Sequence, residues 1–124
     1  MLNRQQIFGK KSETEAVKHL KKLGYKIIEK NYKTKIGEID IIARDKDTLV
    51  FIEVKARNSA KFGNANQAVT SKKQKKISMV ALQYLKSIKK SNAKARFDVV
   101  AVIKDKNKYY SVEIIKNAFE LAYR

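Results

Sequence analysis

The sequence predicts an α/β layered domain in which one mixed sheet is flanked by helices. Two stretches of helical periodicity, five short runs of strand character and their order, α-β-β-β-α-β-β-α, carry that expectation. At 124 residues the chain has the length of one domain. Its 44% apolar content is enough to close one core, so residues 1–124 are read as a single unit.

Proline is absent, so element ends must be marked by glycine, Asn/Asp and charge clusters. Ser12 or Thr14 is expected to cap the first helix, with Glu13 and Glu15 favourable in its first turn. Ala16, Leu20 and Leu23 recur at helical spacing, and Gly24 ends the helix. Residues 25–29 read as a first strand. Residues 36–43 and 48–55 read as two more, and the short polar link between them makes a β-hairpin. Residues 58–66 form the longest irregular stretch, a candidate mobile loop. Thr70 or Ser71 caps a second helix, whose apolar stripe is Ile77, Val80, Ala81, Tyr84, Leu85 and Ile88. Strands over 96–103 and 109–115, joined by a turn at 105–107, and a short helix over 118–122 complete the chain.

Composition narrows the function. The chain has no cysteine, which excludes disulfides, zinc–thiolate sites and iron–sulfur clusters and suits the reducing cytoplasm. The N-terminal stretch lacks the apolar segment of a secretory signal, and no apolar run approaches the ~18 residues of a membrane span. The net charge of +17 calls for an acidic partner: nucleic acid, an anionic surface or an acidic protein. Because 24 of the 29 basic residues are lysine, a general lysine bias is the plain alternative, and charge alone does not name the ligand.

The chemistry lies in the hairpin. Glu38 and Asp40 interrupt one apolar strand, and Glu53 and Lys55 interrupt the next. Unpaired charges in such strands cost several kcal/mol. Side chains alternate faces along a strand, and directly opposed residues point the same way. With Lys46 and Asp47 at the tip of the turn, Asp40 falls opposite Glu53 and Glu38 opposite Lys55. The two carboxylates then stand about 5 Å apart at Cβ. Carboxylates this close repel unless a cation lies between them. Oxygen ligands without His or Cys favour Mg²⁺ or Mn²⁺, and the carbonyl of Val54 is a candidate further ligand. Lys55 would hold the attacking water or neutralise charge developing on a phosphate. The plain alternative is a Glu38–Lys55 ion pair beside two solvated carboxylates; the apolar context of both strands argues against it.

These residues resemble a known pattern. Gly37-Glu38-Ile39-Asp40, followed after twelve residues by Glu53-Val54-Lys55, looks like the D-(x)n-E-x-K signature of restriction-endonuclease-like nucleases. More closely, the chain is similar to the bacterial YraN family of small basic proteins, predicted to be endonucleases related to Holliday-junction resolvases. The stretches 37–44, 51–57 and 96–100, Phe62-Gly63 and the helix that follows carry the resemblance, which runs from Gly9 to about Ile114. It implies a restriction-endonuclease-like αβββαβ core. It also implies a role for Glu15, because archaeal junction resolvases place a glutamate of their first helix at the metal.

Lys72, Lys73, Lys75 and Lys76 open the second helix, where positive charge opposes the macrodipole, and an anion partner would relieve that conflict. Lys72, Lys73 and Lys76 are read as phosphate contacts, Arg57 as a phosphate clamp on the face of Lys55, and Gln67 as a substrate contact. Asp98 is read as a structural partner for Arg96 or a loop amide. The expected function is a metal-dependent endonuclease acting on DNA by structure rather than by base sequence, since no base-reading module is present. A nucleic-acid-binding protein with the same fold and no cleavage is the alternative. A junction-cutting enzyme would act as a homodimer.

Overall fold

The computed structural model describes residues 1–58, 69–90 and 93–119. Its elements run α1 (Arg4–Lys22), β1 (Lys26–Lys33), β2 (Glu38–Asp45), β3 (Thr48–Arg57), α2 (Ser71–Ser87), β4 (Ala95–Lys104) and β5 (Tyr110–Phe119). The five strands form one sheet in the order β1-β2-β3-β4-β5. All neighbours are antiparallel except β3 and β4. A parallel pair requires a crossover, and α2 lies in the segment between those two strands. The mixed α/β sheet expected from the sequence is the observed architecture.

The helices cover opposite faces. On one side Ala16 and Leu20 of α1 pack with Ile41, Ala43, Val50, Ile52, Val100 and Val102. On the other, Ile77, Val80, Ala81, Tyr84 and Leu85 of α2 pack with Ile42, Phe51, Phe97 and Val99. Tyr84 meets the rings of Tyr32 and Phe51 edge-on, with centroids 5.2 and 5.9 Å away. Among the described residues no helix is long and apolar enough to cross a membrane.

Several boundaries differ from expectation. Helix α1 is capped by Asn3, not by Ser12 or Thr14: Asn3 and Gln6 form a reciprocal capping box. Ser12 is fully buried mid-helix against the sheet. The first turns are too polar to show helical periodicity, which begins in the sequence only near Ala16. Gly24 (φ 93°) follows α1 as predicted. Strand β2 starts at Glu38 because Thr34 holds Ile36 and Gly37 in a turn, its hydroxyl accepting both N–H groups at 3.1 and 3.3 Å. Strand β1 runs to Lys33, pairing there with Glu38. Finally, Ala118 and Phe119 belong to β5 and not to a closing helix; the rest of that predicted helix lies outside the described residues.

An ion-paired network pins the far end of the sheet. Asp98 is completely buried and accepts from Arg96 Nε (3.0 Å), the Tyr25 hydroxyl (3.1 Å) and the Asn117 N–H (2.9 Å). Arg96 also donates to Asp45 at 2.7 Å. Asp98 is thus the structural residue the sequence suggested, satisfied by both an arginine and a backbone amide. Burial and the Asp98 charge push the Tyr25 hydroxyl up to about 12.

Candidate functional site

The predicted hairpin register is present: Asp45 faces Thr48 across the Lys46-Asp47 turn, and the ladder continues to Ile41 opposite Ile52. There it stops. Two residues further along β3, the N–H of Val54 is taken by the carboxylate of Asp40 at 2.8 Å rather than by a strand carbonyl. Ile39 packs on the α2 side and Ile41 on the α1 side, so the alternation of faces breaks at Asp40. Strand β1 is irregular at the adjacent position, where Asn31 takes φ 55°. On its other edge β3 stays paired with β4 from Leu49 to Arg57, Lys55 standing beside Ala101.

In the split stand two carboxylates and two ammonium groups. Glu53 is 6% exposed. Its Oε1 receives Lys73 Nζ at 2.6 Å and lies 3.8 Å from Lys55 Nζ. Burial, reinforced by the charge of Glu53, pushes Asp40 up to about 7, although the Val54 N–H opposes this. Burial and the nearby Lys73 charge lower Lys55. For Lys73, burial acts downward, but its hydrogen bond to Glu53 and the charge there prevail and raise it. The Glu38–Lys55 ion pair considered from sequence is not formed: Lys55 turns to Glu53, and Glu38 faces Lys33.

The first-helix acid that reaches this cluster is Glu13, not Glu15. Burial and the charge of Glu38 raise Glu13, with Glu53 adding to the effect, and Asp40 in turn feels Glu13. With its amide nitrogen turned toward them, Asn31 bridges Glu13 (2.9 Å) and Glu38 (3.1 Å). Glu15 instead pairs with Lys18 at 3.7 Å and lies on a separate surface beside Lys11 and Tyr110. Residues two apart on a helix point about 200° apart, so an error in helix phase selects the wrong glutamate. The signal that would have found Glu13 is the small, buried Ser12 set four residues before Ala16.

A cleft of about 480 Å³ opens over Asp40 and Glu53, walled by the Ile36-Gly37 turn and by Lys72, Lys73 and Lys76 of α2. A second cleft of about 430 Å³ lies between α1 and β1, lined by Lys10, Lys18, Lys21 and Lys30 and bounded by Glu13 and Asn31. Among the described residues no three Asp, Glu or His side chains converge as a ready metal-ligand set. The donor chemistry of Asp40 and Glu53 suits a hard divalent cation; Lys73 already supplies Glu53 with positive charge. Val54 contributes its N–H to Asp40 here, where its carbonyl was the expected ligand. Arg57 has a buried Nε without a partner among the described residues. Gln67 and most of the predicted 58–66 loop lie outside the described residues.

Residues 12–102 match the profile of a family described as "Uncharacterised protein family UPF0102". A UPF0102 protein of Desulfosudis oleivorans is 50% identical over 120 residues, covering 97% of this chain and 95% of that protein. One from Syntrophus aciditrophicus is 50% identical over 115 residues, 93% of this chain and 90% of the relative. One from Caldicellulosiruptor saccharolyticus is 43% identical over 119 residues, 95% of this chain and 100% of the relative.

Proposed function

From the premise that the chain belongs to the UPF0102 (YraN) family, we propose that it is a divalent-metal-dependent endonuclease that hydrolyses DNA phosphodiester bonds, selecting branched or junction structures. The observation that carries this reading is the pairing of buried Glu53 with half-buried Asp40 where β2 and β3 part, with Lys55 beside them. Retaining two carboxylates in a site that raises Asp40 to about 7 is costly for structure alone.

In this reading Asp40 and Glu53 hold Mg²⁺ or Mn²⁺, which when bound supplies Lewis acidity toward the phosphate and a more acidic water. Asp40 must give up its proton to serve as a ligand, while the Val54 N–H fixes its orientation. Lys55 neutralises charge developing on the phosphate oxygens. Lys72, Lys73, Lys76 and Arg57 bind flanking phosphates without reading bases. The α1–β1 cleft adjoins the cleft over Asp40 and Glu53 where Asn31 reaches Glu38, and lysines on both suit two diverging arms of DNA. Cutting a junction symmetrically calls for a homodimer, and the cytoplasm is where such a substrate is met.

The test is cleavage of branched, single-stranded and duplex DNA with Mg²⁺ or Mn²⁺ by wild type, Asp40→Ala and Glu53→Ala. Cleavage by wild type that is abolished in both variants supports the proposal; cleavage unchanged in both sinks the site. One observation favours a second reading, a binding protein that does not cut: Lys73 satisfies Glu53 without any metal. Tight, salt-sensitive DNA binding without cleavage under any of these conditions would select it.

A further inference from the structure

Glu53 is almost completely buried, yet one of its oxygens carries an ammonium group at 2.6 Å. A divalent cation would need the electron pairs of that same carboxylate, and mutual repulsion keeps an ammonium and a divalent cation from sharing it at such range. The two lysines on Glu53 are not equivalent. Lys55 stands further off, at 3.8 Å, and its side chain is 22% exposed. Lys73 is in direct contact and 44% exposed.

Lys73 is also placed to leave. It sits in the first turn of α2, where its backbone N–H is held by the Thr70 cap at 3.2 Å. Its root is therefore fixed while its long side chain crosses the cleft. Lys72 and Lys76 line the same opening, and neither forms a salt bridge with a described acidic residue. An anion entering between these three lysines meets a concentration of positive charge, of which only the Lys73 share is spent on the protein's own carboxylate.

We infer that Lys73 is a displaceable counter-ion that couples the two halves of the site: a phosphodiester entering the cleft draws the Lys73 ammonium from Glu53 and opens that carboxylate to a divalent cation. The inference rests on the nuclease reading above and adds an order of events to it. Without nucleic acid, Glu53 is closed by Lys73 and metal binds weakly. With nucleic acid, the same ammonium serves a phosphate and metal binds well. Coupling of this kind is reciprocal, so the metal must strengthen phosphate binding by the same factor.

The experiment is calorimetric titration of Mn²⁺ into wild type, Lys73→Met, Lys75→Met and Glu53→Ala, each with and without a phosphorothioate oligonucleotide. Lys75 removes the same charge from the same helix but does not line the cleft. Without oligonucleotide, Lys73→Met is expected to bind Mn²⁺ about tenfold more tightly than wild type, and Lys75→Met to match wild type. The oligonucleotide is expected to tighten Mn²⁺ binding about tenfold in wild type and far less in Lys73→Met. Lys73→Gln repeats the test with a polar neutral side chain should the methionine perturb the helix. Equal Mn²⁺ affinity in wild type and both Lys73 variants, with binding lost in Glu53→Ala, overturns the coupling and leaves the metal site standing. Absence of Mn²⁺ binding in every protein, with or without oligonucleotide, removes the nuclease reading and this inference together.

Discussion

The carboxylate of Asp40 accepts the backbone N–H of Val54 at 2.8 Å, at the point where the ladder between β2 and β3 ends. A side chain here does the work of a strand carbonyl, and the opening of the sheet beside it leaves room for a ligand. Asp40 has two separable duties, holding Val54 as an acceptor and carrying charge beside Glu53.

Asp40→Asn separates them. The amide keeps an oxygen for the Val54 N–H and removes the repulsion with Glu53. Asp40→Ala leaves that N–H without its acceptor, at a cost of about 1–3 kcal/mol if water does not replace it. Thermal melts without metal should rank Asp40→Asn above Asp40→Ala at pH 8, and neither variant should gain stability from Mn²⁺.

The pH dependence of the metal-free protein follows from the same residue. Asp40 rises from 3.8 to about 7 on folding, so the native state binds its proton more tightly than the unfolded chain. Its contribution is fully present below the unfolded value and is lost as pH climbs through about 7. Melting temperatures should fall across that window in wild type and fall less in Asp40→Asn. Identical profiles would show that Asp40 is not the group responsible. A saturating divalent cation should flatten the wild-type profile above neutrality, since it replaces the proton.

Glu13 and Glu15 should behave differently. Burial and the charges of Glu38 and Glu53 raise Glu13, so Glu13→Gln should stabilise the metal-free protein where Glu13 is ionised and weaken Mn²⁺ binding. Among the described residues Glu15 pairs with an exposed lysine alone, a contact worth about 0.2–0.5 kcal/mol. Glu15→Gln should leave Mn²⁺ affinity as it is. Calorimetry on the two variants decides between them, and a larger loss in Glu15→Gln would reverse the assignment.

Lys55→Met should lower cleavage by roughly 10²–10³-fold if its charge acts on the transition state. DNA binding measured without metal should change little, because Lys55 is mostly covered and does not line the cleft. An equal loss in binding and in rate would make it a phosphate contact only.

Lys72 and Lys76 rim the cleft, and each alanine variant should lower the slope of log affinity against log salt by about one unit, equally for all DNA sequences. Loss of affinity confined to one sequence would argue for base contacts. At the far end of the sheet, Asp98→Ala should cost about 1–3 kcal/mol, because the Asn117 N–H and the Tyr25 hydroxyl lose their acceptor while Arg96 keeps only Asp45 as an ionic partner among the described residues. A melt close to that of wild type would show the network to be dispensable.

What the sequence determined by itself was local. Alternating strands, a two-residue turn at Lys46-Asp47 and the apolar stripe of α2 specify the hairpin register and one helix face, because each depends on residues close in the chain. That was enough to bring Asp40, Glu53 and Lys55 to one region. The tertiary structure decided the rest. Whether Glu13 or Glu15 faces the site depends on the phase in which α1 packs, and a fully buried Ser12 sets that phase only once the sheet is there. The break in the ladder at Asp40, and the arrival of Lys73 at Glu53 from a helix eighteen residues further along, arise from contacts between distant elements. Periodicity records which face of an element is buried; it carries no information about which distant charge will meet it.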